Sequence, residues 1–83
     1  MEKLTFRYNK STYNAYDAQQ IVFEACKYAS EISFEDGSKR GNAKSITGLL
    51  SMKFLPGDEY TVAAEGPDEK KAAKAMVDFI EKL

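Results

Sequence analysis

Three stretches of this chain alternate apolar and polar residues one by one, and that alternation restricts the fold more than any other feature. Leu4, Phe6 and Tyr8 alternate with Thr5, Arg7 and Asn9. Ile32 and Phe34 alternate with Ser33 and Glu35, and Tyr60, Val62 and Ala64 alternate between Glu59 and Glu65. A period of two puts successive side chains on opposite faces, so each stretch reads as a half-buried strand of an antiparallel sheet with one wet face. Asp36-Gly37 is a tight-turn pair, which predicts a hairpin returning through Lys39 to Ala43.

The segments between the strands change period. Ala18, Ile21, Val22, Ala25 and Tyr28 or Ala29 recur at helical spacing, which predicts a helix over Ala15 to Tyr28. Asn14 suits its N-cap, and Asp17, placed three residues on, can reach back as in a capping box. Ser45 can cap a short helix containing Ile46, Leu49 and Leu50. Pro56 to Asp58 reads as a turn. In the closing stretch GPDEKKAAKAMVDFIEKL, Ala72, Met76, Phe79, Ile80 and Leu83 form one apolar stripe. Pro67 suits the first helical position, and Asp68 and Glu69 suit the positive end of the helix dipole, as a solvated helix start. The order β-α-β-β-α-β-α, with wet-faced strands and single-striped helices, predicts a two-layer α+β sandwich in one domain, residues 1–83.

Composition excludes several chemistries. The chain contains no histidine and one cysteine, Cys26. That removes the common zinc sites, Ser–His and Cys–His catalysis, and phosphohistidine chemistry. Net charge is −1 with dispersed basic residues, so nothing points to nucleic acid or an anionic membrane. No apolar run approaches the ~20 residues needed to span a bilayer. A free thiol without a signal peptide predicts a reducing, cytoplasmic setting, with Cys26 an inert helix residue. Neither metal nor cofactor is expected. Gly37 and Gly41 match no phosphate-loop pattern.

The element order, together with SEISFEDGSKRGNAKSITGLLSM (Ser30 to Met52) and AAEGPDEKKAA (Ala63 to Ala73), resembles HPr. HPr is the histidine-containing phosphocarrier of the bacterial sugar phosphotransferase system. The likeness covers nearly the whole chain and is strongest from Ser30 onward. It implies an open-faced sandwich, a four-stranded antiparallel sheet covered on one face by three helices. In that family the first helix opens with a motif like G-L-H-A-R-P-A, whose histidine takes phosphoryl from Enzyme I. The resemblance places that histidine on Asn14, the arginine on Tyr16 and the proline on Asp17. An amide nitrogen is not a nucleophile near neutral pH, and esters on Ser11, Thr12, Tyr13 or Tyr16 would be too stable to hand phosphate onward. Asp17 also puts negative charge where the family would hold an anion. Two unit charges at ~4 Å repel by about 4 kcal/mol at an effective dielectric of ~20.

A second family site survives. The serine of AKSI is the target of HPr kinase in Gram-positive relatives and in a variant lacking the histidine, and the modified protein binds a catabolite-control transcription factor. Ser45 matches that serine, and by the same resemblance Ile46, Thr47 and Leu50 dock partners. Ser45 equally suits a plain helix cap, and Ile46 and Leu50 equally suit ordinary core. Tyr13 and Tyr16 suit either a small binding surface or packing on the sheet edge.

The reading is therefore a monomeric, non-enzymatic HPr-like protein, regulatory through protein contacts. Its expected partners are HPr kinase, the transcription factor or Enzyme I. The alternative is a repurposed scaffold module using Ser11 to Asp17, unrelated to sugar transport; a relic competing weakly for Enzyme I is a third class.

Overall fold

Each alternating stretch pairs antiparallel with its neighbour in the sheet. The computed structural model describes residues 1–83. Its elements are β1 (Glu2–Arg7), α1 (Ala15–Ala25), β2 (Glu31–Asp36), β3 (Lys39–Asn42), α2 (Ile46–Met52), β4 (Glu59–Glu65) and α3 (Glu69–Glu81). The strand order is β1-β4-β2-β3, all antiparallel, so the last strand inserts beside the first. The register sets Phe6 opposite Tyr60 and Phe34 opposite Val62. Those residues, with Ile32 and Ala64, face the helices and are buried. Lys3, Thr5 and Arg7 face the uncovered side and are exposed. This is the open-faced α+β sandwich expected from the alternation.

The core is one cluster. Ile21 and Ala25 of α1, Leu49 and Met52 of α2, and Ala72, Met76 and Ile80 of α3 meet the inner face of the sheet. Phe54, between α2 and β4, joins the layers. Its ring lies 5.4 Å from that of Phe34, 4.7 Å from that of Tyr60 and 5.0 Å from that of Tyr13, all edge-on. Such pairs add about 0.5–1.5 kcal/mol each beyond their buried area. Gly41 of β3 lets α2 lie directly on the sheet. A β-carbon there would fall 2.8 Å from the Gly48 carbonyl oxygen and 2.7 Å from Met52 Cγ.

The structure departs from the sequence pattern at two helix ends and at one strand position. Helix α1 stops at Ala25, short of Tyr28. Beyond the C-cap Cys26, two amides turn back by three residues, Lys27 N to Glu24 O and Tyr28 N to Ala25 O, and Lys44 Nζ donates to the Tyr28 carbonyl at 2.8 Å. Helix α3 starts at Glu69 with Asp68 as N-cap, so Pro67 lies one residue before the cap and not at the first helical position. Asp68 is not a solvated helix residue. Its carboxylate accepts from Ala29 N at 3.0 Å, from Ser30 N at 2.9 Å and from Ser30 Oγ. It gives no side-chain cap to its own helix, because its oxygens are aimed at the start of β2. Ser33, placed on the wet face by its alternation, is only 8% exposed, because Arg40 reaches over it and donates Nε to its Oγ at 3.1 Å.

Candidate functional site

The amino end of α1 is capped by the chain's own side chains. Asn14 is the N-cap, with extended backbone and its Oδ1 accepting from Asp17 N at 3.0 Å. Asp17 Oδ2 accepts from Asn14 N at 3.2 Å, which completes the capping box. The expected repulsion from Asp17 is not what the structure shows. Asp17 is 1% exposed, and Lys10 Nζ lies 2.9 Å from its Oδ1. Lys10 pairs with the charge, and the carboxylate takes the Asn14 amide at the helix end, while the Ala15 and Tyr16 amides bond to no group of the chain. Asp17 is thus a paired, hydrogen-bonded group and not a free charge at the helix end.

The two tyrosines of this region part company. Tyr13 turns inward. Its ring meets Phe54 at 5.0 Å and Tyr8 at 6.0 Å, and its hydroxyl donates to the Leu49 carbonyl at 2.6 Å. Burial, followed by the nearby Tyr8 and Asp17, pushes its phenol well above the usual tyrosine range. Tyr16, which the resemblance set at the family's arginine position, is 67% exposed.

The amino end of α2 keeps its serine cap. Ser45 Oγ accepts from Gly48 N at 3.3 Å, and its carbonyl accepts from Leu49 N at 3.0 Å. The side chain is half-buried, so it remains reachable. Ile46 and Leu50 are each 41% exposed and Thr47 is exposed, whereas Leu49 and Met52 point into the core. The choice between core and surface thus falls to surface for Ile46 and Leu50. Helix α2 carries no charged residue, and Lys44 and Lys53 flank it.

Helices α1 and α2 pack on each other. On α1, Tyr16 and Phe23 lie two turns apart on one face, and Phe23 is 56% exposed. The sequence pattern singled out neither Phe23 nor Lys10. Phe23 stood beside the stripe of α1, and Lys10 lies in a segment with no periodicity to assign it a partner. A shallow concavity of about 490 Å³ lies elsewhere, on the uncovered sheet face. Its acidic lining, Glu31 and Glu65, faces cationic Arg40 and Lys44, with no convergence of reactive groups.

An open-faced sandwich of four antiparallel strands and three helices in this order is the architecture of a phosphocarrier-type domain. A sequence model described as the PTS HPr component phosphorylation site matches residues 8–82. The HPr-like protein Crh of Halalkalibacterium halodurans is 42% identical over 73 residues, 88% of this chain and 87% of that protein. A crystal structure of HPr-C-His from Thermoanaerobacter tengcongensis aligns with a TM-score of 0.89 at 40% identity, covering 99% of this chain and 93% of that one. A crystal structure of Crh from Bacillus subtilis, described as a dimer with a swapping domain, aligns with a TM-score of 0.80 at 34% identity, covering 88% and 84%. The chain belongs to the HPr family. No helix is long and apolar enough to cross a membrane.

Proposed function

We propose that this chain is a non-catalytic, cytoplasmic regulator of the HPr family that acts through protein contacts and does not carry phosphohistidine. One contrast supports the reading. The amino end of α1 offers no imidazole nucleophile and carries the Asp17 carboxylate, while the amino end of α2 has a reachable Ser45 beside exposed Ile46, Thr47 and Leu50. A phosphate on Ser45 would face the free amides of the first turn and add charge beside an uncharged apolar helix. That modification would switch docking at Ile46, Thr47 and Leu50. HPr kinase is the modifying enzyme in this reading, and a catabolite-control transcription factor or Enzyme I is the docking partner.

The experiment has two arms. The protein is incubated with phosphoenolpyruvate and Enzyme I, and separately with HPr kinase and ATP, and its intact mass is read. An increment of about 80 Da in the second arm only, abolished by Ser45→Ala, is the expected result. Label from Enzyme I would overturn the account of Asn14. The exposure of Tyr16 supports a second reading, a scaffold module using Ser11 to Asp17, for which neither arm gives label. Our reading takes the chain as a monomer, and sedimentation at its 9.3 kDa mass tests that against a swapped dimer of the kind described for the Bacillus subtilis relative.

A further inference from the structure

The segment from Asn9 to Tyr13 donates and accepts no backbone–backbone hydrogen bond. Side chains hold it instead. Tyr8 donates its hydroxyl to the Thr12 carbonyl at 2.7 Å, Lys10 bridges to Asp17, and Tyr13 donates to Leu49. Only the last of these leaves the segment's own end of the molecule.

Its acceptor is not an arbitrary carbonyl. Helix α2 has 7 residues, and a helix that short is marginal without tertiary support. Leu49 is among the last four residues of α2, whose carbonyls lack helical partners. It is fully buried, so water is a poor substitute and an unmet carbonyl there is costly. The C-cap, Lys53, sits in the left-handed region at φ 52 and returns no backbone bond to the helix. The Tyr13 hydroxyl meets that need, and its raised pKa keeps the proton on it throughout the physiological range.

We infer that Tyr13 is a positioning residue that fastens the Ser11–Asp17 segment to α2 through the Leu49 carbonyl, so that the two candidate contact regions open and close as one unit. A partner touching either region then meets both, and whatever loosens the cap at Asn14 also loosens the helix that carries Ser45. The coupling does not require phosphate on Ser45, so its failure would leave the docking reading standing, and failure of the kinase assay would leave the coupling standing.

Amide hydrogen exchange of the intact chain tests this. Tyr13→Phe keeps the ring against Tyr8 and Phe54 and deletes only the hydroxyl. The expected result is that Leu49 N in α2 and Asp17 and Ala18 N in α1 all lose protection by a common factor of about five, the scale of one ordinary hydrogen bond. Phe34 and Val62 amides in the sheet should stay unchanged, which shows that the variant is folded. A second variant, Asn14→Ala, should raise exchange at Leu49 in the parent chain and leave it unmoved in the Tyr13→Phe background. Loss of protection in α2 alone would reduce the hydroxyl to a helix cap and overturn the inference. So would unchanged exchange in both segments, or an Asn14→Ala effect on Leu49 that persists without the hydroxyl.

Discussion

Lys10 Nζ lies 2.9 Å from Asp17 Oδ1, a partly exposed ammonium against a carboxylate whose side chain is 2% exposed. The pair joins the loop after β1 to the first turn of α1. Removing the lysine strands a buried charge, which is the costly way to break an ion pair. Lys10→Met should destabilise the fold by about 2 kcal/mol, less than a fully buried pair because Lys10 keeps contact with water. Urea unfolding reads this as a lower midpoint at constant slope. The double variant Lys10→Met/Asp17→Asn should recover part of the loss.

Restoring the missing imidazole should not restore the carrier. In Asn14→His the new ring would sit beside the Asp17 carboxylate, which still bonds the residue-14 amide, and Tyr16 would supply no cation to hold a phosphoryl group. Incubation with Enzyme I and phosphoenolpyruvate is expected to add no mass. The triple variant Asn14→His/Tyr16→Arg/Asp17→Pro, which rebuilds the family motif, is the one expected to label. Label on the single variant would show that Asp17 and Tyr16 are not the obstacle. Loss of the asparagine cap should itself cost about 1 kcal/mol.

Asp68 gives the fold an acid limit. The Ser30 hydroxyl first, then the Ala29 and Ser30 amides, hold its carboxyl below the ordinary 3.8. A depressed carboxyl contributes stability that is present above its unfolded value and is lost as the pH falls through the folded one. Ser30→Ala removes the largest cause, so Asp68 should titrate closer to 3.8. The acid limb of a stability-against-pH curve should accordingly flatten relative to the parent. An identical limb in the two proteins would count against the Ser30–Asp68 hydrogen bond as its cause.

The aromatic cluster sets the opposite limit. Burial, with the Asp17 charge next, pushes the Tyr8 phenol up to about 12, and Tyr13 is raised further. An unfolded tyrosine ionises near 10, so above that pH the unfolded chain releases protons that the folded chain retains. Stability should therefore fall as pH rises from 10 toward 12. Ultraviolet titration should show Tyr8 and Tyr13 ionising only together with loss of near-ultraviolet circular dichroism. Smooth ionisation of all 5 tyrosines before unfolding is the contrary result.

The local chemistry of the chain was open to reading residue by residue. The Asn14–Asp17 box, the Ser45 cap, the Asp36-Gly37 turn and the α3 stripe each rest on groups a few positions apart, so spacing alone identifies them. Alternation likewise assigned the inner faces of β1, β2 and β4. Asp17 shows where local reading ends. Its position in the first turn was legible, but its neutralisation depends on a lysine in an aperiodic loop. Tyr13 and Leu49 are 36 positions apart, and Ser30 and Asp68 are 38 apart. Such pairs form only once the sheet has closed the intervening loops, and no spacing rule spans them. The exposure of Ile46 and Leu50 beside buried Leu49 was settled in the same way, by which side of a short helix the Gly41 contact presses onto the sheet.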